Sequence, residues 1–285
     1  MDIINGFLKI FSKEEEKPLN LELEEKLKQK NLSESLSKLI VIIAMHSNQD
    51  VKLSKYLDNP MLTLDDLKAH NNLIELIKQT GFNKSFINNI IGIVPSEGGN
   101  GVGKSEIALI LFFKNAAKSK KHKNENKSGD IDINGNIIEI KSSYARFPGK
   151  GIGRGGNIQK LFSYLDKTYD IPRVPHLSEY IKNIYNLTQD KELFLKDINF
   201  KLNNIYPNSD INVTPDNLSN LKNVLILKYI SSYINAKQSD YYLLISSNTN
   251  NYNIYNGDEL KVKAINGDID FTAITPSSSY PQLKL

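Results

Sequence analysis

Residues 129–143 read GDIDINGNIIEIKSS, and three of them, Asp130, Glu139 and Lys141, could together do phosphoryl chemistry. Apolar and polar residues alternate on both sides of an Asn-Gly pair, the pattern of a β-hairpin closed by a two-residue type I′ turn. A turn at Asn134-Gly135 sets the register: Ile133 faces Asn136, Asp132 faces Ile137, Ile131 faces Ile138 and Asp130 faces Glu139. Side chains alternate faces along a strand, so Ile131, Ile133, Ile138 and Ile140 share the core face, and Asp130, Asp132, Glu139 and Lys141 share the other. Directly opposed residues have Cβ atoms about 4.5–5.5 Å apart, where two carboxylates repel. A divalent cation removes the repulsion. Two carboxylates suit Mg²⁺ or Mn²⁺, with water and a substrate phosphate in the other coordination positions. Lys141 would orient or deprotonate an attacking water or balance charge on the phosphate, and the metal would polarise the phosphoryl oxygen and acidify its bound water. The plain alternative is a solvated hairpin face of mixed charge.

A second pattern lies upstream. GGNGVGKS, residues 98–105, fits G-x-x-x-x-G-K-S, the form of a phosphate-cradling loop. Such a loop needs a buried strand running into its first glycine, and here Pro95, Ser96 and Glu97 stand between IIGIV and Gly98. It also needs an apolar strand ending in a magnesium-binding Asp. LKNVLILKY has no acid at its end, and DYYLLISS has its Asp at the start. The glycines therefore read as a flexible lead-in to a helix over 105–118, with Ser105 as its N-cap, Lys104 as a DNA-backbone contact and Glu106 in the first turn. Nucleotide hydrolysis at 98–105 stays as the lesser alternative.

The set Asp130, Glu139 and Lys141, in the order D-x(n)-E-x-K, resembles the PD-(D/E)XK nuclease superfamily, with Gly129-Asp130 in place of Pro-Asp. The resemblance spans about residues 100–175, with closing strands expected near the C-terminus. It implies an α/β (α+β) fold of restriction-endonuclease-like type: a mixed central sheet flanked by helices. It implies a metal-dependent DNA endonuclease in which Asp130 and Glu139 bind Mg²⁺ or Mn²⁺, Glu106 is the third acid, and the Ile140 carbonyl is a further ligand. Members often carry a Gln or basic residue on the next helix, a role that Gln159 and Lys160 could fill. The glycine-rich run ARFPGKGIGRGGN brings Lys150 and Arg154 forward as cations for a DNA backbone, or else is a surface connection. The arrangement also resembles phage-encoded proteins. A double-strand cutter favours a symmetric homodimer. The rival within the same fold is a catalytically silent DNA-binding or virion component.

The rest of the chain must position these residues. Its composition, 40% apolar and 24% charged, is that of an ordinary globular protein. There is no cysteine, which excludes thiolate metal sites and cysteine nucleophiles. The four histidines, at 46, 70, 122 and 176, lack the spacing of a metal site. The longest apolar run, LIVIIAM, is far short of the ~20 residues that cross a bilayer, and the start of the chain has no cleavage-type site, so a cytoplasmic protein is expected. Helices are expected over 21–30, 32–46 and 63–81, with 84–94 either helix or strand. A helical region, 1–95, would precede a nuclease-like domain, 96–285. Further helices are expected over 157–169, 176–200 and 216–235, and strands over 240–247, 251–256, 259–265 and 268–274.

Overall fold

The computed structural model describes residues 20–93, 105–119, 127–148, 155–206 and 211–285. The chain forms two compact units. One is Met1–Ile140 with Ser239–Ile254, the other Lys141–Gln238 with Tyr255–Leu285. The division expected at 95/96 lies outside the described residues.

The first unit opens with helices α1 (Leu21–Gln29), α2 (Glu34–His46), α3 (Asp50–Asp58), α4 (Leu64–Ala69), α5 (Leu73–Lys78) and α6 (Lys84–Gly92). Their starts are written in the sequence. The side chains of Asn20, Ser33, Thr63, Asn72 and Asn83 each accept a backbone N–H of the first turn, and Thr63 with Asp66 completes a capping box. The helix expected over 63–81 is two helices, because His70 is extended and Asn72 caps a new start.

Helix α7 (Glu106–Phe112) follows, then strands β1 (Ala116–Lys118), β2 (Ile131–Ile133) and β3 (Asn136–Ser142). The helix expected over 105–118 stops at Phe112. Phe113 bridges to Leu62, the Lys114 N–H donates to Leu62 O at 2.7 Å, and Asn115 turns the chain with φ +53°. Ala116–Lys118 then pairs with Ile133–Ile131, so strand pairing overrides helix propensity. Strands β4 (Tyr241–Ile245) and β5 (Tyr252–Tyr255) complete a five-stranded mixed sheet of order β1-β2-β3-β4-β5, flanked by helices. One hydrophobic core joins Leu23, Ile40 and Ile90 of the N-terminal helices to Ile107, Ile131 and Leu243. Helix α7 is held at its C-terminal end by Tyr56, whose hydroxyl donates to Phe112 O at 2.7 Å. The Phe112 ring meets Phe82 edge-on at 5.2 Å.

The second unit is mainly helical: α8 (Gly155–Thr168), α9 (Leu177–Leu187), α10 (Lys191–Ile205), a 3₁₀ turn at Pro215–Asn220, α11 (Leu221–Lys237) and α12 (Gly257–Asn266), with the short pair β6 (Asp270–Phe271) and β7 (Leu283–Lys284). The helix expected over 176–200 is divided between α9 and α10, with Asp190 capping the second. The strand expected at 259–265 is helix α12. Asn256 and Glu259 form a capping box there, and Gly267, at φ +78°, ends the helix between the two expected strands. Of the strand expected at 268–274, only Asp270–Phe271 forms. Among the described residues no helix is long and apolar enough to cross a membrane.

Phe112 is fully buried among Tyr56, Phe82 and Phe86. Phe112→Ala is expected to lower the unfolding free energy by about 3–5 kcal/mol in a urea melt.

Candidate functional site

The β2–β3 hairpin closes as its Asn-Gly pair dictates. Asn134 and Gly135 both take positive φ, +53° and +81°, and the Gly135 N–H donates to Asp132 Oδ1 at 2.7 Å. Three expected pairs form: Ile133 with Asn136, Asp132 with Ile137, and Ile131 with Ile138. Ile131, Ile133, Ile138 and Ile140 are buried, as a core face requires.

The fourth expected pair, Asp130 opposite Glu139, does not form as a ladder pair. The Asp130 N–H donates to Ile138 O at 2.9 Å, so two consecutive residues face Ile138, the count of a β-bulge. The Asp130 side chain then reaches past Glu139, and its Oδ2 accepts the Ile140 N–H at 2.7 Å. The physical reason is charge. A carboxylate set squarely against another is repelled, whereas one that accepts a backbone N–H gains a charge-assisted hydrogen bond. The offset needs a residue without a side chain. A Cβ on Gly129 would lie 2.6 Å from Ile137 Cγ2 and 2.9 Å from Ile138 O. Gly129 therefore lets the strand close in just ahead of Asp130.

Glu139 is 1% exposed and Glu106 is 6% exposed, so two of the three expected acids lie in the interior. Helix α7, which carries Glu106 at its first position, packs against β1 and β2. Ser105 stands at the cap position with φ +78° and no side-chain capping bond, so the expected hydroxyl cap is not made. A left-handed conformation in a non-glycine residue costs of order 1 kcal/mol or more and here turns the chain directly into Glu106.

Three further residues of this unit, Tyr242, Ser239 and Asp240, shape the neighbourhood and were not assigned to the site from sequence. Tyr242, on the strand beside β3, is fully buried. Burial pushes its hydroxyl up to about 12; hydrogen bonding with Ser239 offsets part of this, and the negative charges of Glu139 and Asp240 add to the rise. Ser239 Oγ donates to Ser128 O at 2.7 Å, and Asp240 Oδ2 accepts the Ile137 N–H at 2.9 Å. In the second unit, Lys141 Nζ lies 4.9 Å from the centroid of the Tyr233 ring, which Phe147 meets edge-on. Asp240 was visible at the head of DYYLLISS, but only the strand order gives it a neighbour.

Lys104, Lys150 and Arg154 lie outside the described residues. Gln159 and Lys160 are exposed on α8, and Gln159 Nε2 donates to Pro276 O at 3.4 Å. Among the described residues no three His, Asp or Glu side chains are grouped so as to hold a metal ion. Hydrogen bonding does bring two acids to one place, because Asp130 sits on the peptide that joins Glu139 to Ile140. Ahead of the glycine stretch at 98–105 the chain forms helix α6 rather than the strand a phosphate-cradling loop requires. No protein-family model, curated protein or solved structure matches this chain.

Gly129→Ala forces a methyl group onto the backbone of β3 and is expected to cost about 1–3 kcal/mol in a urea melt. Tyr242 predicts an alkaline limit. Its folded value lies above the ordinary tyrosine value, so its contribution is fully present below about pH 10 and is lost as pH rises toward 12. Stability of the native chain should fall across that window, and Tyr242→Phe should make the fall shallower.

Proposed function

We propose that this chain is a divalent-metal-dependent deoxyribonuclease that hydrolyses phosphodiester bonds. The observation that carries the reading is the Asp130 Oδ2 to Ile140 N–H bond at 2.7 Å, which seats one carboxylate at the peptide following a second, buried carboxylate, Glu139. Lys141 follows on the same strand. This order of acid, acid and lysine is what resembles the PD-(D/E)XK nucleases.

The donor set fits a hard cation. It consists of carboxylate oxygens with a backbone carbonyl beside them, and Mg²⁺ binds through one or two carboxylates while keeping several waters. Asp130, whose Oδ2 accepts the Ile140 N–H, and Glu139 would be the two carboxylate ligands, with the Ile140 carbonyl beside them. A bound Mg²⁺ or Mn²⁺ would supply charge at the phosphoryl oxygen and a more acidic water. The chain's own groups do the rest. Asp130 and Glu139 would hold the cation to which the phosphate comes. Lys141 orients the water and meets the negative charge that grows on phosphorus oxygens as the new P–O bond forms and the bond to the leaving sugar oxygen breaks. Burial of Glu139 keeps bulk water away from that step.

Charge distribution supports a nucleic-acid partner. In the second unit Lys and Arg outnumber Asp and Glu by 17 to 12, while in the first the numbers are 19 and 20. A basic surface gives salt-dependent attraction to phosphates. Cutting both strands in one encounter would call for a symmetric pair of sites.

With supercoiled plasmid and Mg²⁺ or Mn²⁺, the native chain should nick or linearise DNA. Asp130→Ala, Glu139→Ala and Lys141→Ala should each slow cleavage by about 100-fold or more while retaining DNA binding. Equal rates for native and variant proteins would sink the proposal. Binding by the native chain without cleavage in either metal would point instead to a silent DNA-binding component.

A further inference from the structure

Two residues at the head of β4 touch both arms of the hairpin. Asp240 brackets Ile137: its N–H donates to Ile137 O at 2.9 Å, and its Oδ2 accepts the Ile137 N–H, also at 2.9 Å. Its other oxygen, Oδ1, takes the Lys127 ammonium at 2.6 Å. The preceding residue, Ser239, is 8% exposed and donates its hydroxyl to Ser128 O at 2.7 Å. The anchored points are matched along the chain. Ser128 lies two residues before Asp130, and Ile137 lies two residues before Glu139. One dipeptide thus fixes the chain at the same short lever from each acid.

This matters because the open end of the hairpin is its weak point. The regular register stops at Ile131 with Ile138, and beyond it Asp130 is offset and held through its own side chain. A bulged strand end bends and frays unless something outside the ladder ties it down. The Ser239–Asp240 contacts are such a tie, made on the approach to Asp130 on one arm and on the approach to Glu139 on the other.

We infer that Asp240, with Ser239, is a positioning residue that seats the Asp130 carboxylate on the Ile140 amide and so sets the spacing of the two acids. Its bearing on catalysis rests on the nuclease reading, but its geometry does not, and the two can fail separately. Asp240→Ala removes the acceptor for the Ile137 N–H and the partner of Lys127. Asp240→Asn keeps an oxygen for Ile137 and loses only the charge toward Lys127.

The direct readout is amide hydrogen exchange at Ile140 in the full chain. In Asp240→Ala the Ile140 amide should exchange about tenfold faster or more, while amides of Ile110 and Leu111 in α7, which report global opening, should be unchanged. Asp240→Asn should stay within about threefold of the native rate. Ser239→Ala should shift Ile140 in the same direction by less. The inference is overturned if Ile140 in Asp240→Ala is as protected as in the native chain, or if it loses protection only in step with α7. Plasmid cleavage is measured on the same proteins over a Mg²⁺ series. Asp240→Ala should need several-fold more Mg²⁺ for half-maximal rate, with KM for DNA unchanged and the effect largely rescued in Asp240→Asn. If the native chain cuts nothing yet Ile140 responds as stated, the nuclease reading falls and the positioning role of Asp240 stands.

Discussion

A carboxylate oxygen meets a backbone N–H at the open end of the hairpin, Asp130 Oδ2 to Ile140 at 2.7 Å, where an unbroken register would have placed Gly129. The local structure follows from that substitution. The side chain can replace a backbone partner only if Asp130 is offset by one position, and its N–H accordingly donates to Ile138 O. The offset brings Gly129 so close to β3 that no Cβ fits. A charge-assisted bond of this kind contributes about 1.5–3 kcal/mol, enough to hold the offset against the lost ladder pair. The hairpin's iron rule of alternation survives for the isoleucines and is broken only where the acids begin.

The acids create a conflict that the surrounding core must absorb. Glu139 is 1% exposed and Glu106 6%, in a unit whose core includes Ile107, Ile131 and Ile138. Withdrawing a carboxylate from water costs several kcal/mol, and an apolar side chain of similar size would pack there without that cost. Local choices that oppose stability in an otherwise consistent fold mark positions kept for another reason. The framework around them is correspondingly stiff: Tyr56 holds the last carbonyl of α7, and the rings of Phe82, Phe86 and Phe112 pack edge to face behind it.

How much of this could be read from the residues alone depended on whether the deciding force was local. The hairpin register was legible as far as Ile131, because an Asn-Gly turn and alternating isoleucines leave one arrangement. Helices α1 and α2 were legible from their composition and the start of α4 from its Thr63 cap, whereas 84–94 could be read as helix or strand. Helix α3 was not anticipated; its cap position, Gln49, makes no side-chain capping bond. The end of α7 was misread because Ala116 and Ala117 favour helix, and only Ile133 and Asp132 opposite them make a strand the better state. Residues 259–265 alternate like a strand, yet Asn256, Glu259 and Gly267 are a helix start and stop, and those local bonds decide. The seat of Asp130 was out of reach, since side-chain capture of a backbone N–H leaves no periodic trace.

The same physics bears on the glycine stretch that ends at Ser105. A helix start attracts anions because its first N–H groups are unpaired and its dipole is positive there. In α7 that position already has a negative group of its own, since Glu106 opens the helix with its carboxylate buried. A nucleotide phosphate brought to the same amides would meet a like charge in a region of low dielectric, where repulsion is strong. Ser105, whose hydroxyl a phosphate-cradling loop would turn toward magnesium, is itself 1% exposed in a left-handed turn. Among the described residues, the element before the stretch is the helix α6. An acid at a helix start favours a cation or a hydrogen-bond donor beside it rather than a phosphate.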